Sequence, residues 1–86
     1  MIAVEYTSSF IKAYDELDTN LKIEIKEKIK LLKNRKNHQV LRVHKLHGRL
    51  KNRYSFYVNY KIRIVFEFID KQTARLHAIG DHDIYK

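Results

Sequence analysis

The N-terminal residues alternate between apolar and polar side chains. Ile2, Val4 and Tyr6 are separated by Ala3 and Glu5, which gives a period of two. Successive side chains of a β-strand point to opposite faces of the sheet, so this period indicates a strand. The chain is therefore expected to begin with a β-strand.

The period then lengthens to that of an α-helix, and two helices are predicted. Residues 7–9 (Thr-Ser-Ser) precede the first apolar stripe and residues 18–20 (Asp-Thr-Asn) precede the second, and these side chains are typical helix N-caps. The stripes are Phe10, Tyr14 and Leu17 in the first helix, and Leu21, Ile25, Ile29 and Leu32 in the second. The short break between the stripes predicts an αα-hairpin.

From Val40 the period returns to two, and three further strands are predicted. Turns are expected near Asn59 and at residues 70–73, and the last strand spans residues 74–79. The predicted order is β-α-α-β-β-β, which is an α+β fold. An antiparallel sheet is expected to be covered on one face by the N-terminal αα-hairpin. A length of 86 residues without linker-like composition predicts a single domain over residues 1–86.

The positive charge is concentrated in one part of the chain. The formal net charge is +8, and residues 22–53 hold twelve of the 18 lysines and arginines against only two acids, Glu24 and Glu27. Such a basic segment indicates a polyanionic partner or an acidic protein. The alternative is a solvated helix face that only aids solubility.

The sequence lacks the motifs that are typical of several functional classes. There is no cysteine, which excludes disulfides and thiolate metal sites. The chain has no P-loop, no glycine-rich nucleotide-binding motif and no compact zinc motif, so no cofactor and no metal are expected. Without a run of about 20 apolar residues or a signal-like N-terminus, no membrane association is expected and the location is expected to be cytoplasmic.

The remaining chemistry rests on two histidines and an arginine. His44 precedes the predicted hairpin, Arg63 lies on the polar face of a strand, and His82 follows the last strand. Cleavage of RNA without a metal needs a base for the ribose 2′-OH, a cation for the charged transition state and an acid for the leaving 5′-oxygen. These three residues match those needs. The alternatives are loop histidines and an Arg63 that pairs with Glu67.

Four short segments together resemble a known protein family. They are Lys45-Leu46-His47-Gly48, Tyr54-Ser55-Phe56, Ile62-Arg63-Ile64-Val65-Phe66 and Gly80-Asp81-His82-Asp83-Ile84-Tyr85. Their order and spacing resemble the RelE/ParE superfamily of type II toxins, and within it the RelE and YafQ branches of ribosome-dependent mRNA interferases. The resemblance covers essentially the whole chain and implies the RelE-like fold described above.

The resemblance also implies roles for individual residues. Arg63 falls on the strand arginine that contacts the scissile phosphate, and His82 falls at the position of the general acid. His44 matches a histidine that is a candidate base, and Tyr85 matches an aromatic residue that orients the mRNA base. RNA phosphates are expected to be bound by the basic residues around the hairpin, which are Lys45, Arg49, Lys51 and Arg53.

Two departures from the family pattern affect the expected mechanism. Tyr54 and Phe56 stand where RelE-type members carry lysines. Because no lysine is available at these positions, a histidine is favoured as the general base. Asp81 and Asp83 flank His82 and are expected to orient it by hydrogen bonding, which would raise its pKa.

The expected function is therefore that of a toxin of a type II toxin–antitoxin system. It would be an endoribonuclease that cleaves translated mRNA on the ribosome, and its partners would be the ribosome, mRNA and a small antitoxin that is acidic where it binds. Two alternatives stay open: a ParE-like inhibitor of DNA gyrase without nuclease activity, and an RNA-binding domain without enzymatic activity.

Overall fold

The computed structural model describes residues 1–48 and 52–85, without the side chains of His82 and Tyr85. Strand β1 (Ala3–Tyr6) leads into helix α1 (Ser8–Asp15) and helix α2 (Thr19–Leu32). Four strands follow, which are β2 (His44–Lys45), β3 (Tyr54–Tyr57), β4 (Arg63–Asp70) and β5 (Thr73–Gly80). Short 3-10 turns form at Arg35–Asn37 and His82–Tyr85.

Both helices begin at the predicted capping residues. The Thr7 side-chain oxygen accepts a hydrogen bond from Phe10 N at 3.0 Å, and Asp18 Oδ1 accepts one from Leu21 N at 2.9 Å. Each bond satisfies a backbone donor that the first helical turn leaves without a partner. The two caps therefore set the start of each helix and the length of the turn between them.

The strands form one five-stranded sheet in the order β1-β5-β4-β3-β2. The predicted α+β class and the predicted antiparallel hairpins are confirmed, since β2 to β5 pair antiparallel in chain order. Two details differ from the prediction. The sheet is mixed, because β1 pairs parallel to β5. In addition, the two-residue strand β2 extends the sheet beyond β3.

Each difference has its own physical reason. Alternation along a strand indicates which face is buried, but it carries no information about which strand lies beside it. The parallel partner of β1 lies near the other end of the chain, as the register of Ala3 with Thr73 shows. A strand of two residues is also too short to show alternation.

The core lies between the helices and one face of the sheet. The apolar stripe of α2 packs with α1 and with the inward residues of β3, β4 and β5. The fully buried side chains of this cluster include Phe10, Ile25, Leu32, Phe56, Ile64, Phe66 and Leu76. The opposite face, called the outer face below, is not covered by the helices and carries the polar side chains of the strands.

Candidate nucleic-acid site on the outer face of the sheet

Strand pairing brings His44 and Arg63 to the outer face in neighbouring rows. His44 is paired with Ser55, and Ser55 is paired with Val65. The next row on the same face pairs Tyr57 with Arg63. His44 on β2 and Arg63 on β4 are two strands and one row apart, which corresponds to about 12 Å between their backbones. Long side chains can approach a common ligand across that distance.

The imidazole of His44 is held by hydrogen bonds at both nitrogens. Nδ1 lies 2.9 Å from the backbone oxygen of Arg42, and Nε2 lies 3.3 Å from Oγ of Ser55. A carbonyl oxygen only accepts, so Nδ1 carries the hydrogen. In the neutral ring the Nε2 lone pair then accepts the hydrogen bond from the Ser55 hydroxyl, and it can act as a general base when that hydroxyl turns away.

The guanidinium of Arg63 is fixed by stacking and by a backbone hydrogen bond. Its central carbon lies 3.5 Å from the ring centroid of Tyr57, and Nη1 donates to the backbone oxygen of Asn59 at 2.9 Å. The alternative pairing of Arg63 with Glu67 is not found among residues 1–48 and 52–85. Among these residues, the positive charge of Arg63 is therefore not paired with an acidic side chain.

Glu67 is bound by three basic side chains of the same face. Arg53 donates to its carboxylate at 3.0 Å, His77 lies at 2.8 Å, and Arg75 lies at 3.7 Å and also contacts Glu5. The hydrogen bond from His77 is the main cause that lowers the pKa of Glu67, and the nearby charges of Arg53 and Arg75 act in the same direction. This network crosses the sheet from the start of β3 to β1. In it, the carboxylates of Glu67 and Glu5 compensate the positive charges of Arg53 and Arg75.

The C-terminal turn folds onto the outer face beside Arg63. Gly80 is paired with Arg63, and directly paired residues present their side chains on the same face. A Cβ built at Gly80 would collide with Cγ2 of Ile84, so Ile84 occupies the space that a side chain would need. The turn that contains His82 and Tyr85 therefore starts next to Arg63.

Asp81 stabilises this turn. Its Oδ1 accepts a hydrogen bond from Asp83 N at 2.9 Å, and its backbone oxygen accepts one from Ile84 N at 3.1 Å. The expected contacts of both aspartates with the His82 imidazole, like the expected roles of the His82 and Tyr85 side chains, lie outside the described residues. They stay predictions.

The four expected RNA-binding residues have different surroundings. Lys45 follows His44 directly in β2, so alternation places it on the opposite face of the sheet. Arg53 lies on the outer face, but its charge is paired with Glu67. Arg49 and Lys51 lie outside the described residues. The roles of all four stay predictions, and none of the described ones lies unpaired beside His44 and Arg63 on the outer face.

Two residues of the site are not predicted from the sequence. Tyr57 stacks on Arg63. Alternation with Tyr54 and Phe56 indicates that Tyr57 lies on the polar face, but it does not predict this contact. Arg42 lies in a turn with φ 55°, and its guanidinium carbon lies 5.2 Å from the ring centroid of Tyr57. No periodic signal marks a residue in a turn, so Arg42 is not identifiable from the sequence.

Neither a metal cluster nor a membrane span occurs in the described part of the chain. Residues 1–48 and 52–85 contain no group of three or more histidine, aspartate and glutamate side chains placed to hold a metal ion. The same residues contain no helix with the length and apolar character that a membrane span requires.

Solved structures of other proteins share this architecture. No protein-family model matches the chain, and no curated protein matches its sequence. YafQ from E. coli is 18% identical over 98% of this chain and 97% of that chain, with a TM-score of 0.72. A chain of the YoeB-YefM complex from Staphylococcus aureus is 16% identical over 95% and 98%, with a TM-score of 0.73.

A third similar structure is a toxin–antitoxin complex. A chain of RelBE2 from Mycobacterium tuberculosis is 13% identical over 93% of this chain and 96% of that chain, with a TM-score of 0.71. The fold is that of the RelE/ParE-type toxins. The architecture implied by the resemblance of the four sequence segments is thereby confirmed.

Proposed function

We propose that this protein is the toxin of a type II toxin–antitoxin system and that it cleaves translated mRNA as a metal-free endoribonuclease. One observation carries the proposal. The His44 imidazole, the Arg63 guanidinium and the start of the His82 turn share the outer face of the sheet. A RelE/ParE-type fold with this set of groups supports nuclease chemistry, since a protein that only binds does not need them.

The proposed reaction transfers the phosphoryl group within the RNA strand. His44 Nε2 takes the proton of the ribose 2′-OH, and the resulting oxygen attacks the adjacent phosphorus. The bond to the 5′-oxygen breaks, and His82 donates a proton to that oxygen. The products are a 2′,3′-cyclic phosphate and a 5′-hydroxyl. Arg63 stabilises the negative charge of the transition state with its planar, permanently charged fork.

Tyr85 completes the proposed site by stacking on a base of the message. Aromatic stacking is the common way in which proteins hold unpaired bases. The ribosome would present the message, and the basic segment of residues 22–53 would bind phosphates of ribosomal RNA and mRNA. The protein itself would supply no metal and no cofactor.

An antitoxin is the second proposed partner. Two of the similar structures are complexes, YoeB-YefM and the toxin–antitoxin complex RelBE2. The net charge of +8 favours fast association with an acidic segment. An apolar groove of about 190 Å³ beside α1 and α2 offers a place for apolar side chains of that segment, and Tyr6, Ile11 and Tyr14 line it with Lys26 and Ile29.

Cleavage of a message in a cell-free translation system tests the proposed nuclease. Primer extension on the translated message is expected to locate the breaks, and end-group analysis of the fragments is expected to find a 5′-hydroxyl and a 2′,3′-cyclic phosphate. His44→Ala and Arg63→Ala are each expected to lower the cleavage rate by at least about a hundredfold, because each removes a group that acts on the reacting atoms.

Two matched variants control for fold and charge. His77→Gln alters a histidine of the same face that binds Glu67, and Lys12→Gln removes one positive charge at an exposed position of α1, outside residues 22–53. Both are expected to keep cleavage. Persistence of cleavage in both His44→Ala and Arg63→Ala would contradict the proposed mechanism. Intact message together with accumulation of gyrase-bound, cleaved DNA in cells would indicate the gyrase-inhibitor alternative instead.

A further inference from the structure

Arg42 adopts a backbone conformation that is uncommon for a residue with a side chain. Its φ of 55° lies in the left-handed region, where an L-residue with a Cβ is strained. Two contacts accompany this conformation. The backbone oxygen of Arg42 accepts the hydrogen bond from His44 Nδ1 at 2.9 Å, and the Arg42 guanidinium carbon lies 5.2 Å from the Tyr57 ring centroid. Strained backbone of this kind is concentrated at functional sites.

Tyr57 therefore contacts two guanidinium groups, those of Arg42 and Arg63. The Arg63 carbon lies 3.5 Å from the same ring centroid. Among the residues that the structure describes, neither arginine forms an ion pair with an acidic side chain, because the nearby Glu67 is bound by Arg53, Arg75 and His77. Two cations near one ring make the electrostatic potential around it positive, which favours the binding of an anion there.

We propose that Arg42, Tyr57 and Arg63 form a phosphodiester-binding site in which Arg42 supplies a second guanidinium. Tyr57 is a positioning residue that holds both forks by stacking. The choice of single-stranded RNA as the ligand rests on the proposed nuclease function. Guanidinium groups suit this ligand, since they present paired donors to phosphate oxygens and stay charged at any working pH.

The backbone of Arg42 links this site to the proposed base. The same residue presents a carbonyl to His44 and a side chain to Tyr57. A side-chain substitution keeps the carbonyl and removes only the guanidinium. Arg42→Gln should therefore weaken RNA binding while the His44 ring stays oriented, which predicts a higher KM for the message with little change in kcat.

The test measures binding of a short single-stranded oligoribonucleotide with 2′-O-methyl riboses, which the protein cannot cleave by attack of the 2′-OH. Affinity is followed by fluorescence anisotropy over a series of salt concentrations. On a single strand, each phosphate that the protein neutralises contributes about 0.7 to the slope of log affinity against log salt. Arg42→Gln is expected to bind several-fold more weakly than the unchanged protein, with a slope that is shallower by about 0.7.

Three further variants make the result specific. Lys12→Gln removes the same charge at an exposed position of α1, outside the basic segment of residues 22–53, and is expected to keep the slope. Tyr57→Phe keeps the ring and is expected to bind normally, whereas Tyr57→Leu removes the ring and is expected to bind weakly. Arg42→Lys keeps the charge and is expected to keep most of the slope, so weak binding caused by misfolding would be recognised.

Equal slopes for Arg42→Gln and Lys12→Gln would overturn the proposed site, and so would absence of oligonucleotide binding by the unchanged protein at low salt. These results would leave the proposed nuclease intact if message cleavage still required His44 and Arg63. The converse outcome separates the two proposals as well. A slope that depends on Arg42, in a protein that cleaves no translated message, would support the phosphate site and contradict the nuclease.

Discussion

Glu67 shows how single residues of the outer face depend on their neighbours. Its carboxylate is half-buried among Arg53, Arg75 and His77, and the hydrogen bond from His77 lowers its pKa. A lowered pKa in the folded state means that the ionised carboxylate stabilises the fold. The stabilisation is complete above the pKa of the unfolded chain, about 4.3, and is lost as the pH falls through the lower value of the folded protein.

Glu67→Gln is therefore expected to lower the free energy of unfolding at neutral pH. The difference from the unchanged protein should begin to shrink as the pH falls below about 4.3, and it should be lost below the lower pKa of the folded protein, where both side chains are neutral. Urea unfolding followed at a series of pH values measures this difference. Glu16→Gln, at an exposed position after α1, serves as the control. A difference between Glu67→Gln and the unchanged protein that stays constant with pH would show that the carboxylate charge contributes nothing.

Sequence patterns identify the site residues that lie on regular strands and not those that depend on irregular backbone. Alternation predicts that Arg63 lies on the polar face, and its register with Tyr57 confirms that face. The partner of Arg63 is not predictable. The expected alternative, Glu67, is instead bound by His77, which lies at the irregularity where the β4 and β5 register shifts. A shift of this kind changes which side chains meet, and it has no periodic signature.

At the scale of elements, the C-terminal turn depends on a glycine at the end of β5. Gly80 has no positive φ, so its backbone would accept an alanine. The space above it is filled by Ile84, whose branched Cγ2 would collide with an added Cβ. Because Cγ2 is bonded directly to Cβ of Ile84, relief of this collision requires either a different χ1 rotamer of Ile84 or a shift of the turn. The packing of Ile84 on Gly80 therefore fixes where the His82 segment lies.

Gly80→Ala is expected to reduce message cleavage strongly, by at least about tenfold, with a much smaller loss of stability. The reason is that the turn carrying the proposed acid moves away from Arg63, while the core between helices and sheet is unchanged. The double variant Gly80→Ala with Ile84→Ala removes the collision and is expected to recover part of the activity. Cleavage assays and thermal unfolding of both variants measure the two effects. Full activity in Gly80→Ala would show that the position of the turn is unimportant.

The elements themselves are largely predictable, because local signals determine them. Thr7 and Asp18 cap the two helices as expected, and the turn at Asn59 closes with its side-chain oxygen accepting from Lys61 N and Ile62 N at 2.9 and 2.8 Å. The parallel pairing of β1 with β5 is not predictable in the same way. It depends on contacts between the two ends of the chain, and no local pattern describes them.

At the scale of the whole molecule, the distribution of charge separates two explanations of RNA binding. The net charge is +8, and most of the basic residues fall within residues 22–53. Attraction to a polyanion can come from the total charge or from a surface that contacts phosphates. Total charge affects long-range association, whereas phosphate contacts release condensed counterions and set the salt slope. The contributions of total charge and of phosphate contacts can be separated by two variants that change the net charge equally but at different positions on the molecule.

Lys26→Glu with Lys30→Glu changes the exposed face of α2 and lowers the net charge from +8 to +4, since each substitution removes two units. Lys12→Glu with Lys71→Glu makes the same change at exposed positions outside residues 22–53. The α2 pair is expected to weaken ribosome binding and to flatten its salt slope more than the other pair. Lysine and glutamate have similar helix propensities, so the fold should lose at most about 1 kcal/mol. Sedimentation with ribosomes at stepped salt concentrations measures the slopes, and equal slopes for the two pairs would mean that total charge alone drives binding.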